Sequence, residues 1–363
     1  MVVEKWLSEI PREDISGRDP FGLDGFFFKF PRLNSGGDVG SILQAARGLD
    51  LSNYKIANSD FSGNLAAMRD LGMIVCSLQR HGIRDLDLIP GLTGVLLDIS
   101  NATCMVPRET VIHYSWWNPE GVRQRTFTES PQERSLISAT ATSLPLVEAA
   151  ARKVADLMEV EPADPEYSLL CNLAITNLED VAQCVRTPGS GLDASHFSTD
   201  LRPYFEPVNI GGKCYNSAAA AQIPLYLIDQ AIWGADIGGP VLGHFREDLT
   251  LYGLPSWRRA FHDLSRGPSL VSRMILCLQG DSMQEVHNIR ASAASLLSVI
   301  RTLVKFRSRH RRLVRSAYTQ GTGLYSEGSA GATAALIDQI LFATRECADM
   351  VRSVEANGLE NVS

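Results

Sequence analysis

In the stretch KFRSRHRRLVRSAY, residues 305–318, one histidine stands among Lys305, Arg307, Arg309, Arg311, Arg312 and Arg315, with no acid between them. Its chemistry depends on the direction in which it points. A solvated basic face would serve nucleic acid or a membrane surface, whereas an imidazole turned inward could hold a metal. On a helix each residue advances about 100°. With His310 at zero, Leu296 and Val314 fall at about +40°, Leu303 at about +20° and Ala317 at about −20°, while Arg301 and Arg312 lie near 180° and Arg315 near 140°. The charge therefore belongs to the outer face and His310 to the apolar stripe. Such a histidine is either a core residue satisfied by a carbonyl or the ligand of a metal or haem iron, a role that suits a neutral imidazole on a rigid helix. Arg307, at about 60° on the same side, could pair with a haem propionate or be an ordinary surface arginine.

Three further segments have chemical potential. In SHFSTDLRPYFEP (195–207), Arg202 lies among Phe197, Tyr204 and Phe205. A guanidinium in that company can clamp a carboxylate while the rings hold an aromatic body, or it can simply pin loop carbonyls. In NSAAAAQIP (216–224) the near absence of side chains would let a flat ligand approach the backbone, or would permit a close helix contact. The glycine-rich TQGTGLYSEGSAGATAALIDQ (319–339) opens the last helix. It has neither the Gly-Lys-Ser/Thr of a phosphate loop nor a G-x-G-x-x-G after a strand. A lid over a pocket, with a helix N-terminus able to meet an anion, fits its glycine spacing.

These residues must be positioned by helices. Apolar residues recur at helical spacing in GSILQAARGLDL, in GNLAAMRDLGMIVCSLQRHG (a stripe of Leu65, Met68, Leu71, Ile74 and Leu78), in DLIPGLTGVLLDISNAT, and in the long segments from about 135 to 184. One helix is expected over about 283–318 and a last one over about 333–356. Residues 185–215 read as irregular, and no strand exceeds a few residues. The expected class is all-α, with a small N-terminal helical part on a larger bundle.

Composition excludes several functions. The chain has 363 residues, 45% of them hydrophobic, and 34 basic against 41 acidic residues give a net charge of −7. Bulk electrostatic binding to nucleic acid is disfavoured by that balance. Seven scattered cysteines, none in C-x-x-C, suggest neither a zinc site nor a disulfide framework and fit a reducing cytoplasm. The charged start is unlike a signal peptide, and no apolar run is long enough to span a membrane. The seven histidines include no H-x-x-x-H pair, and no G-x-S-x-G elbow occurs, which argues against zinc and serine hydrolases.

The segments AAMRDLGMIVCSLQRHG, IPGLTGVLLDISNAT, VPRETVIHYSWWNP, LRPYFEPVNIGGKCY, IPLYLIDQAIWG and FRSRHRRLVRSAY together resemble the haem dioxygenase superfamily of indoleamine and tryptophan 2,3-dioxygenases, and within it the monodechloroaminopyrrolnitrin synthases. The resemblance covers most of the chain. It implies an indoleamine-dioxygenase-like all-α bundle, with a small N-terminal domain over 1–108 and a large haem-binding domain over 109–363. It makes His310 the proximal ligand of haem b iron, with Arg307 beside it, and Arg202 the anchor of the substrate carboxylate. Phe197 becomes part of the pocket wall, and Ser217, Ala218, Ala219, Ala220 and Ala221 lie against the porphyrin. Ser143, or its neighbour Leu144, matches a distal serine. GSAGAT (328–333), with Ser329, Ala332 and Thr333, matches the substrate loop. Ala332 departs from the family's threonine or tyrosine at that place unless Thr333 takes over, so the substrate held there is expected to differ.

The implied activity is oxidation of tryptophan, a substituted tryptophan or an indole by dioxygen or peroxide, by oxygenation or ring rearrangement, in secondary metabolism. An electron donor is an additional partner of this reading, and neither nucleic acid nor a membrane is one. Two alternatives keep the haem: a 2,3-dioxygenase giving a kynurenine-type product, and a non-catalytic haem sensor. A nucleic-acid module built on the basic helix is a third class, which the acidic total weighs against.

Overall fold

The computed structural model describes residues 5–54, 56, 59–184, 194–237, 239–280, 286–319 and 327–360. Eleven helices of eight residues or more occur among them: α1 (Asp24–Ser35), α2 (Val39–Arg47), α3 (Phe61–Arg80), α4 (Leu92–Thr103), α5 (Pro131–Asp156), α6 (Pro165–Cys184), α7 (Gly239–Thr250), α8 (Pro255–Leu264), α9 (Leu270–Leu278), α10 (Val286–Thr319) and α11 (Ala334–Glu360). The strands, Val208–Ile210 and Lys213–Tyr215, form one antiparallel hairpin with Val208 opposite Tyr215. Gly211 and Gly212 turn it at φ +60° and +81°, values that a residue with a side chain rarely adopts. The all-α expectation is met.

Local signals account for the long helices. Asp60 caps α3 by accepting a hydrogen bond from the Gly63 amide at 2.8 Å, and Ser130 followed by Pro131 opens α5. The stripe expected on α3 is buried, but so is every other residue from Gly63 to Leu78. The helix is therefore central rather than one-faced, and it carries Arg69 and Asp70 into the interior. Helices α5, α6, α10 and α11 pack against one another in that order. Burying leucines such as Leu296 and Leu303 of α10, both wholly enclosed, contributes roughly 1.5–3 kcal/mol each.

Two apolar cores result. One gathers α1 to α4 with Tyr114, Phe127, Ile137 and residues of the 201–218 segment. The larger one gathers α5 to α11 with Leu7, Ile10, Ile15 and Leu65. Residues on both sides of position 108 thus enter each core. The N-terminal segment is fastened to the larger one by Glu148, whose carboxylate accepts from the Leu7 and Ser8 amides and from Trp257 Nε1.

Candidate active site

Helix α10 is 34 residues long and contains no acid. Its inner side is made of Ile289, Ala293, Leu296, Leu297, Ile300, Leu303 and Arg307, whereas Arg301, Lys305, Arg312 and Arg315 are exposed. The wheel drawn from the sequence holds for these positions; the side chains of Val314 and Ala317 lie outside those described. His310 is partly buried, its ring nearly parallel to that of Phe306 one turn earlier, at 6.4 Å between centroids. No described residue hydrogen-bonds the imidazole. Burial, and then the Arg307 charge, push its pKa below the ordinary histidine value. The ring is therefore neutral at neutral pH and keeps a lone pair free for a ligand.

Arg307 is not a surface residue. Its Nη2 meets Asp229 Oδ2 at 2.5 Å and its Nη1 donates to Thr344 Oγ1 at 2.9 Å, so it ties α10 to the short helix Leu225–Asp229 and to α11. Directly after Asp229 the chain makes a wide π turn, Gln230–Gly234. Arg246 of α7 closes over that turn: Nε donates to Gln230 Oε1, Nη2 to the Gly234 carbonyl at 2.8 Å, and the guanidinium lies 4.6 Å from the Trp233 ring. A Cβ at Gly234 would stand 2.8 Å from both Arg246 and Gln230, which requires glycine there. Arg246 is 2% exposed, and burial lowers its pKa while Asp229 opposes the shift. Asp229 thus pairs with Arg307 and acts by its charge on Arg246, while its Oδ1 and Arg246 Nη1 are enclosed without a hydrogen-bond partner among the described residues. The cluster holds a surplus positive charge where water does not reach.

Arg202 follows a second π turn, Phe197–Leu201, whose segment packs on α10. Its side chain is 6% exposed. Nη1 donates to the Phe205 carbonyl at 2.7 Å and to Glu206 Oε1 at 2.9 Å, and Nη2 reaches the Glu327 carbonyl at 3.5 Å. Phe197 is partly buried beside the first core.

The glycine-rich loop meets this group. The Glu327–Thr333 bridge closes its described part, the Gly328 amide donates to the Ala332 carbonyl, and Gly331 turns it at φ +74°. Asn216 Nδ2 lies 3.5 Å from the Ala330 carbonyl. Thr333 Oγ1 accepts from the Leu336 amide and so caps α11 itself, which takes up part of the helix end that the sequence left for an anion. Ser329 and Thr333 are partly buried and Ala332 is 8% exposed; residues 320–326 lie outside those described.

In the small-residue run, Ser217, Ala218 and Ala219 are buried, Ala220 is exposed and Ala221 lies between. Gln222 fastens the run by donating to the Ser217 carbonyl and by accepting from the Ala219 and Val111 amides. Arg108 fastens it from the other side: Nη2 donates to Ser217 Oγ at 2.9 Å and Nη1 to the Tyr215 and Glu206 carbonyls. Arg108 itself is buried and pairs with Glu109 at 2.6 Å. Ser143, also buried, donates to the Ala139 carbonyl of its own helix, and Leu144 belongs to the larger core.

The structure therefore brings Arg202, Phe197, Asn216 and the loop at 327–333 into one neighbourhood against α10, while Ser143 spends its hydroxyl locally. Sequence reasoning gave no role to Asp229, Arg246, Arg108 or Glu206, and it placed Gln222 only as the end of the small-residue run. Only Glu206 carried a signal, its four-residue spacing from Arg202.

This helical bundle, with an unpartnered neutral imidazole on a long helix and a buried arginine near it, has the haem-dioxygenase-like helical fold. The family model of the monodechloroaminopyrrolnitrin synthase PrnB matches residues 44–357. The chain belongs to that family, whose members are oxygenase-type oxidoreductases acting on tryptophan in secondary-metabolite biosynthesis.

Proposed function

We propose that the protein is a haem b-dependent enzyme that oxygenates or rearranges tryptophan, a substituted tryptophan or an indole, with His310 as the iron ligand. The observation that carries this reading is the His310 imidazole, neutral and without a hydrogen-bond partner among the described residues. A half-buried neutral imidazole without a described partner leaves its lone pair open to a ligand, and a metal would be one. Two further features support the same group: the surplus buried charge around Asp229, which an anionic edge of a cofactor would balance, and the enclosed Ser217–Ala219 backbone, against which a flat macrocycle could lie. Among the described residues, none of the His, Cys, Asp and Glu side chains form a cluster of three or more suited to a bare metal ion, so a cofactor that brings its own in-plane ligands fits a lone histidine better.

When bound, haem supplies activation of dioxygen or peroxide, with an electron donor as partner. The protein's own residues orient and enclose. Arg202 anchors the amino acid carboxylate and so fixes the indole by geometry. Phe197 walls the ring, and Ser143 or Leu144 lines the opposite side. Ser329, Ala332 and Thr333 cover the substrate. Ala332 removes a hydroxyl from the cover, which favours a substrate that needs no hydrogen bond there. Residues 1–108 form the smaller part in this reading and 109–363 the haem-binding part. Among the described residues there is neither a disulfide nor a helix able to cross a membrane, which suits a cytoplasmic enzyme.

The test is an absorption spectrum of protein expressed with haem supplementation, taken before and after addition of L-tryptophan. A Soret band that shifts with tryptophan is expected, and His310→Ala should lose the band. A normal five-coordinate ferric spectrum in that variant would remove His310 as ligand, and a band indifferent to tryptophan would favour a non-catalytic haem protein.

A further inference from the structure

The carboxylate beside Arg202 bears on what kind of ligand the site accepts. Glu206 lies four residues on, its Oε1 2.9 Å from Arg202 Nη1. The two side chains differ in access: that of Arg202 is 6% exposed and that of Glu206 is 37% exposed. The cation is therefore set deep and the anion stands at the rim. Glu206 is also fixed through its backbone, because its carbonyl accepts from Arg108 Nη1 at 3.3 Å, and Arg108 in turn is held by Glu109, Ser217 and the Tyr215 carbonyl. On the loop side, the Glu327 carbonyl adds an acceptor 3.5 Å from Arg202 Nη2.

A site with this charge pattern treats three related ligands differently. An indole acid without an amine would bring its carboxylate to Arg202 but into the field of Glu206. An indole amine without a carboxylate would meet Glu206 but leave its other end beside a buried guanidinium. A zwitterionic α-amino acid presents both signs on adjacent carbons, and each meets its opposite. We infer that Glu206 is a specificity-determining residue that accepts the substrate's α-ammonium group while Arg202 takes its carboxylate, so that the site selects the intact amino acid over its deaminated and decarboxylated relatives. This assignment rests on the reading of Arg202 as the carboxylate anchor.

The experiment is isothermal titration calorimetry of the haem-loaded protein with L-tryptophan, indole-3-propionate and tryptamine, repeated on Glu206→Gln and Arg202→Leu. Glu206→Gln is expected to weaken tryptophan by about ten- to a hundredfold, the scale of a lost charged hydrogen bond, and to leave indole-3-propionate unchanged or tighter. Tryptophan binding that is unchanged or tighter in Glu206→Gln overturns the assignment and makes Glu206 a competitor for Arg202. Equal loss of tryptophan and indole-3-propionate also overturns it, leaving Glu206 only as a support for Arg202. Glu206→Asp, which keeps the charge but shortens its reach, should retain the preference for tryptophan over indole-3-propionate, so the inference stays testable if the glutamine variant folds poorly. If Arg202→Leu binds both acids as the parent does, the anchor reading itself fails, and the ammonium assignment falls with it.

Discussion

The molecule buries two clusters in which arginines converge on an aspartate, and they are built to different plans. In the first, Asp70 of α3 lies between Arg69 and Arg125, all three fully enclosed. Every nitrogen of the Arg69 guanidinium is used, on Asp70 and on the carbonyls of Ile15, Trp117 and Arg18. Arg125 reaches two more carboxylates, Asp24 at 2.6 Å and Asp19 at 3.8 Å. Two cations thus face three anions. In the second cluster Arg307 pairs with Asp229, whose charge also acts on Arg246, and among the described residues no second carboxylate pairs with either guanidinium. A charge taken out of water is tolerated only when paired and hydrogen-bonded. Asp24 Oδ1 and Arg125 Nη2 also lack hydrogen-bond partners among the described residues, but the first cluster balances its cations with carboxylates of the chain and is a scaffold. The second does not, and it lies one helical turn from His310, where a cofactor's acidic groups would complete it.

Removing the central anion should separate the two. Asp70→Ala leaves enclosed Arg69 with carbonyls alone and Arg125 with Asp24 and Asp19, and a loss of about 3–5 kcal/mol in urea denaturation is expected, the same in haem-free and haem-loaded protein. Asp229→Asn should cost less, about 1–3 kcal/mol, and unequally: haem-loaded protein should recover part of the loss, because the cofactor brings anions to Arg307 and Arg246. Equal losses in the two forms would break the comparison and make both clusters scaffolds. The smallest effect concerns protonation. Burial, and secondly Arg307, hold the His310 pKa below its ordinary value. Between those two values the unfolded chain binds more protons than the native one, so stability rises with pH through that window and is level above it. In haem-free Arg307→Gln the titration midpoint of His310, followed by NMR, should move up toward about 6.5; an unmoved midpoint would mean that burial alone sets it.

Histidine pKa values also offer a control remote from this cluster. His113 is fully buried, its Nδ1 accepts from the Thr110 amide, and burial brings its pKa down to about 3. That group should contribute to acid unfolding below about pH 6.5, as should His310 within its own window below the ordinary histidine value.

Much of the fold was legible because helices are written locally. The stripe of α10, the Ser130–Pro131 start of α5 and the glycines of the hairpin turn all act within a few residues. The breadth of burial on α3 was not legible, because Arg69 and Asp70 look like surface residues until Arg125 and distant carbonyls surround them. The candidate site divides in the same way. Arg202 and Glu206 are four residues apart, and their pairing is made across the short turn Arg202–Tyr204 and the two residues after it. Arg307 and Asp229 are 78 residues apart, and nothing near either residue announces the other.

By itself the sequence determined that His310 faces inward on a basic helix, since 3.6-residue periodicity sets direction without reference to the rest of the chain. It also determined the small-residue run and the glycine loop, whose properties lie in what their side chains lack. Tertiary structure alone decided that Arg307 turns to Asp229, that Arg108 anchors both Ser217 and Glu206, and that the ring of His310 has no hydrogen-bond partner among the described residues. Those outcomes depend on which surfaces meet when the bundle closes, and a charge or a lone pair acquires its meaning only from the groups then placed within a few ångströms of it.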